Sequence, residues 1–234
     1  MAEQAKRLEP ESGTMPVPIG DDLAAIMRRA EPRWMPCDMC QQLTSGRRCF
    51  DCQRRVKRLW EAREMTLSAV PEGFRWATLD APELLARIGD DASLLARATA
   101  AIHASRVLFL GKSGKGKTSL AIAMMRARVE AIAKPGVFIL ATDLATARAR
   151  QSLGSESPEI AAARTAKLLV LDDLGTDMQT PTSAVSEIVF HRHAHQRPTW
   201  ITTWLSEEQM IARYGDGFAR RVMEGARIIE CGHP

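Results

Sequence analysis

A chain of 234 residues, 45% apolar and 26% charged, has room for one α/β domain and a small appendage, with the composition of an ordinary soluble globular protein. Its net charge of +4 is too small to argue for nucleic acid by itself. No apolar run nears the roughly 20 residues that span a bilayer, and residues 1–22 lack the apolar core of a signal peptide, so the expected location is cytoplasmic, with no membrane partner.

In chain order, residues 1–30 read as a mobile tail followed by a short helix that Asp22 can cap and Pro32 stops. Cys37-Asp38-Met39-Cys40 and Cys49-Phe50-Asp51-Cys52 then give the spacing C-x2-C-x8-C-x2-C. Each pair can turn two thiolates toward one ion, and two pairs complete a tetrahedral S4 site for Zn²⁺. The short gap points to a compact knuckle pair rather than a full ribbon. Buried or redox-active thiols are the alternative. Charge concentrates here: residues 28–63 carry a net +6, with Phe50 and Trp60 interleaved. A basic helix after a zinc knuckle can grip phosphates and stack bases, dock on an acidic protein, or simply be solvated. Residues 31–66 therefore form the expected zinc-binding module, and residues 67–234 the second domain.

From Pro71 the character changes. A connecting segment with Phe74 and Trp76 leads into a helical stretch from Pro82 to Ala104, broken near Gly89-Asp90. Val107–Leu110 suits a buried strand. Gly111-Lys112-Ser113-Gly114-Lys115-Gly116-Lys117-Thr118 follows and fits G-x-x-x-x-G-K-[ST], the phosphate-binding loop of nucleoside triphosphatases. The Ala/Met/Leu-rich run from Ser119 completes a strand-loop-helix context. Backbone N–H groups and the helix N-terminus can cradle phosphate, Lys117 can reach the β- and γ-phosphates of ATP, and the Thr118 hydroxyl can ligate Mg²⁺.

A turn at Lys134-Pro135-Gly136 precedes a second strand, 137–140, and helices are expected over 144–150 and 160–165. Leu168–Leu171 is a doubly buried strand ending in Asp172 and Asp173, where open α/β sheets bind ligands. Asp172 is placed to hold Mg²⁺ and Asp173 to orient or deprotonate the attacking water. His191, His193 and His195 read as surface histidines that do not share a helical face. Strands follow at 199–203 and 227–230, with helices between them, one opened by a Ser206–Gln209 capping box.

The phosphate loop, Leu-Leu-Val-Leu-Asp-Asp-Leu-Gly (168–175), Arg-Pro-Thr-Trp-Ile-Thr-Thr (197–203) and Arg-Tyr-Gly-Asp (213–216) before Arg220-Arg221 together resemble the DnaC/IstB family of AAA+ ATPases, which load replicative helicases or assist transposases. The likeness covers roughly Pro71 to Glu230. It implies a five-stranded parallel sheet of order 5-1-4-3-2 and a nucleotide site spanning Gly111 to Thr118, extended here to Ser119. It also implies that Arg221, rather than Arg220, reaches the γ-phosphate of a neighbouring subunit, hence an ATP-dependent homo-oligomer. The partners it implies are a replicative hexameric DNA helicase, or a transposase, and single-stranded DNA. Two departures stand out. Trp204 occupies the place of the asparagine that senses the γ-phosphate, leaving Thr202 or Thr203 as substitutes. Only four residues follow the fifth strand, so little or no C-terminal lid is expected, and hydrolysis is expected to be slow. A zinc-knuckle DNA-binding adaptor with structural nucleotide is the reading of another class.

Overall fold

The computed structural model describes residues 35–151, 154–177 and 184–232. The expected tail and the helix begun at Asp22 lie outside the described residues. The chain divides into two compact units, and the division falls between Gln53 and Arg54, within the helix α1 (Phe50–Ala69).

In the first unit, β1 (Met35–Pro36) and β2 (Leu43–Thr44) pair antiparallel, Met35 opposite Thr44 and Pro36 opposite Leu43. The chain between them turns back through Cys37 N donating to Gln42 O at 2.9 Å and Gln41 N donating to Cys37 O at 3.0 Å, with Gln41 at φ 63°.

The second unit is built on five parallel strands: β3 (Arg106–Leu110), β4 (Val137–Leu140), β5 (Leu169–Leu174), β6 (Thr199–Thr203) and β7 (Arg227–Glu230). They lie in the order β4-β5-β6-β3-β7. Counted within this sheet that is 5-1-4-3-2, the order the resemblance implies. Strand side chains alternate between two faces. Val107, Phe109, Phe138, Val170 and Trp200 pack on one side with α2 (Pro82–Arg87), α3 (Ala92–Ala100) and α4 (Lys117–Ile132). Leu108, Ile139, Leu169, Leu171 and Ile201 pack on the other with α5 (Ala141–Arg150), α6 (Pro158–Thr165), α7 (Ala184–Ala194), α8 (Glu207–Tyr214) and α9 (Asp216–Met223).

Local chemistry sets the ends of these helices. The break between α2 and α3 sits at Gly89 and Asp90, at φ 77° and 56°, and Asp91 restarts the helix by accepting Leu94 N at 2.8 Å. Ser157 caps α6 ahead of Pro158, and Ser206 with Gln209 forms the expected capping box on α8. The later half of α1 belongs to this unit: Thr66 Oγ1 accepts Gly136 N at 3.0 Å, and Arg63 forks onto both carboxylate oxygens of Glu130.

Two findings on α7 differ from or add to the sequence reading. His191 and His195 do share a face: their rings stack with centroids 4.2 Å apart, because positions four apart meet on a helix. The second is Arg192, fully buried and with no carboxylate paired to it among the described residues. Its guanidinium donates to Ala163 O (2.6 Å), Ala166 O (3.1 Å), Pro198 O (2.6 Å) and Thr199 Oγ1 (2.9 Å). It thus closes the C-terminal end of α6, where carbonyls lack intrahelical partners and the helix dipole favours a cation. Burial pulls its pKa down to about 10, still charged at neutral pH. Replacing Arg192 with methionine should cost at least about 3 kcal/mol, since several buried carbonyls lose their donors together. A chemical denaturation midpoint within error of the unmodified protein would refute this.

Candidate functional site

The Gly111–Thr118 loop joins the end of β3 to the start of α4, as the motif requires. Gly116 is the N-cap of α4 in the left-handed region, φ 75°, and a side chain there would also meet Ile88 and the Arg87 carbonyl within 3.0 Å. Gly111 faces an even closer neighbour: a Cβ would stand 2.1 Å from Cys231 O. Lys112, Ser113, Gly114 and Lys115 are exposed at the loop's crest, while Lys117 and Ser119 are buried in the first turn of α4. Lys117 Nζ donates to Gly111 O at 2.7 Å and Lys112 O at 2.9 Å, which centres its charge on the loop. Burial holds this ammonium below the usual lysine range, with Asp173, Cys231 and Asp172 opposing the shift.

The second landmark closes on the first. Thr118 Oγ1 lies 3.0 Å from each carboxylate oxygen of Asp172, at the end of β5. Asp172 is 2% exposed, and burial pushes its carboxyl up to about 6 against the hydrogen bonds from Thr202 and Thr118. A hydroxyl and a carboxylate facing each other beside a phosphate cradle are the donor set of a hard divalent cation such as Mg²⁺.

β5 does not run straight through its acids. The register with β6 shifts between Leu171 and Leu174, and Asp173 sits at φ 55°. The bulge turns Asp173 out of the ladder, so that its N–H bonds Thr202 Oγ1 at 2.9 Å instead of a strand carbonyl. Thr202 in turn bonds Asp172 Oδ1 at 2.6 Å. One hydroxyl thus fixes both acids. Thr203 Oγ1 is committed to Leu174 O at 2.7 Å. Both hydroxyls that could stand in for the missing asparagine therefore already donate within the protein, Thr202's to Asp172 and Thr203's to Leu174 O. Trp204 is 47% exposed, its indole packed near Gly175 just past β5.

Arg221 stands elsewhere. With Arg106 and Thr199, the first residues of β3 and β6, it lines a shallow depression at the end of the sheet away from the phosphate loop. Its guanidinium lies 4.7 Å over the Phe190 ring and donates to Gly217 O at 2.7 Å. A five-residue strand measures about 13 Å, so Arg221 is remote from its own chain's loop on that scale. Arg220 pairs with Glu224 at 3.4 Å on the exposed face of α9.

In the first unit, the sulfurs of Cys37, Cys40, Cys49 and Cys52 all lie within 4.8 Å of one another. Cys49 N and Met39 N each point at Cys37 Sγ at 3.4 Å and pull its thiol down to about 6. Hydrogen bonding with Cys49, and then burial, push Cys52 up to about 12. Four sulfurs this close cannot all ionise without a cation among them, and N–H groups aimed at sulfur favour the thiolate. The donor set fits Zn²⁺. Cys231 is not part of it; its N–H donates to Leu110 O at 2.7 Å, beside the phosphate loop.

No protein-family model matches the chain, and no curated protein matches its sequence. Solved structures do match it. The crystal structure of the DnaC helicase loader superposes with TM-score 0.58 at 22% identity, over 69% of this chain and 100% of that one. That of DnaI gives 0.56 at 19% identity, over 72% and 97%. A replication initiator DnaA bound to AMPPCP and single-stranded DNA gives 0.53 at 14% identity, over 66% and 51%. The five-stranded parallel sheet with its flanking helices is thus a fold shared with the DnaC helicase loader and DnaI.

Proposed function

We propose that the chain is an ATP-dependent loader or remodeller of a replicative hexameric DNA helicase. The observation that carries this reading is the meeting of Lys117, Thr118 and Asp172 at the C-terminal end of the central strands, on a fold shared with the DnaC helicase loader along that structure's whole length. Gly111 to Ser119 would enclose the phosphates, with Lys117 on the β- and γ-phosphates. Thr118 and Asp172 would hold Mg²⁺, and Asp173 would orient or deprotonate the attacking water. Arg221 would serve the site of the next subunit, so that ATP favours a homo-oligomer and single-stranded DNA binds the assembly. With Trp204 where a γ-phosphate sensor is expected, and both neighbouring threonines engaged, turnover would be slow and the bound nucleotide would act as a switch. Cys37, Cys40, Cys49 and Cys52 would hold one Zn²⁺, which supplies folding energy rather than chemistry. The basic, Trp60-bearing helix that follows would face the helicase.

The test is co-purification of the tagged full-length chain with ATP and with ADP. A ring helicase retained with one nucleotide and released with the other is the expected result. Retention of a transposase instead would move the assignment to a transposition helper. DNA binding that is the same with either nucleotide, with no protein partner, would make the chain a zinc-knuckle adaptor.

A further inference from the structure

A chain of contacts runs from the acids of β5 to Arg221, and the catalytic reading uses none of its intermediate members. Thr176 turns the chain back just after β5, its N–H and Oγ1 both donating to Asp173 O, at 3.2 and 2.7 Å. Asp177 follows at 1% exposure. Its Oδ1 accepts the Tyr214 hydroxyl and its backbone carbonyl accepts the Arg213 guanidinium. Tyr214 ends α8, and its ring stacks on Phe218 of α9 at 4.5 Å. Phe218 meets Phe190 at 6.1 Å, and Arg221 lies over Phe190.

The carboxylate is the unusual member. Among the described residues Asp177 Oδ2 is buried with no hydrogen-bond partner, so the Tyr214 hydroxyl supports an acid that they satisfy only in part. Such an arrangement is costly, and an apolar pair of the same shape would pack this junction better. Burial, and then Asp177 itself, push the Tyr214 phenol well above the usual range, so it remains a donor at any physiological pH. A directional bond at this point does something apolar packing cannot. It fixes the height of α8, and through Gly215 and the stacked rings that of α9, against the end of the acid-bearing strand.

We propose that Asp177 and Tyr214 are positioning residues that tie the nucleotide-facing acids of one subunit to the arginine the same subunit presents to its neighbour. This rests on the reading of Arg221 as a residue acting in trans. The tie makes the two active sites flanking a subunit interdependent: the state of Asp173 in one sets the reach of Arg221 into the next.

Two mixtures test it, both in the full chain with single-stranded DNA present. The parent mixture combines Lys117→Ala with Arg221→Ala; its productive interfaces join the loop of the second to the arginine of the first. Adding Tyr214→Phe to the arginine-giving Lys117→Ala subunit should lower the mixture's turnover roughly tenfold, the scale of one hydrogen bond to a charged group. Adding it to the loop-giving Arg221→Ala subunit should change turnover less than about twofold, since that subunit's arginine is already gone. Equal losses in both would show a merely structural role, and a loss in neither or only in the loop-giving subunit would equally overturn the proposal. A parent mixture that stays inactive removes the trans reading itself, and the tie with it. Should Tyr214→Phe fold poorly, the pair Asp177→Asn/Tyr214→Phe leaves no unpaired buried charge and carries the same expectations.

Discussion

Two inactive variants should make an active mixture. Lys117→Ala removes the only buried ammonium in the phosphate loop, and with it the partner of the β- and γ-phosphate charge, so it should bind ATP poorly and turn none over. Arg221→Ala should bind ATP almost normally, because its guanidinium stands over Phe190 at the other end of the sheet from its own loop. It should still hydrolyse poorly, since arginines acting across P-loop active sites are worth about 10³–10⁵ in rate. A smaller factor is expected here if turnover is slow, as proposed from Trp204. In a mixed assembly some interfaces join an intact loop to an intact arginine, and turnover should partly return, more so at high protein concentration. Phosphate release reads the outcome, with co-assembly shown separately by crosslinking. A mixture that co-assembles and remains inactive would exclude Arg221 as the residue in trans. Full activity in dilute, demonstrably monomeric protein would exclude a shared site of any kind.

The other large effect concerns metal. One zinc per chain should be found by elemental analysis, and Cys40→Ser should lose it while Cys231→Ser keeps it. Structural zinc sites in small peptides show apparent binding energies of about 10–16 kcal/mol, far more than a two-strand hairpin of two residues a side can supply by packing. A strong chelator should therefore unfold the first unit while leaving ATP binding in the second, which has its own apolar sheet. Unchanged metal content in Cys40→Ser, or loss of ATP binding together with unfolding of the first unit on chelation, would contradict this.

The parts of the site that are written as local patterns are legible in the sequence. The glycine-rich loop between an apolar strand and an Ala-rich run, the two acids closing a run of Leu and Val, the paired C-x-x-C segments and the Ser206–Gln209 cap each carry their chemistry within a few neighbouring residues. What stayed hidden depends on partners far apart in the chain. In the sequence Thr202 reads only as a stand-in for a missing asparagine, because nothing in its neighbours foretells that β5 bulges and hands it both Asp172 and the Asp173 N–H. Asp177 and Tyr214 stand 37 residues apart, and the Tyr-Gly-Asp segment marked one end of that bond without pointing to the other. Arg192 sat unremarked among three histidines. Its role comes from the backbone carbonyls of Ala163, Arg164, Ala166 and Pro198, which have no signature in the identities of the residues that own them.

The conformation of Asp173 bears on how the hydrolytic step can be blocked in the laboratory. Trapping variants are commonly chosen by side-chain chemistry alone, but at φ 55° the backbone has a say. Aspartate and asparagine tolerate the left-handed region several-fold better than other side chains. Asp173→Asn would thus remove the proposed base and leave the bulge in place, so any gain in the lifetime of the ATP-bound form could be credited to chemistry. Asp173→Ala or Asp173→Gln would add backbone strain on the order of 1 kcal/mol or more at the strand that carries Asp172. A slow, loosely folded protein obtained that way would look like a catalytic defect while reporting a conformational one.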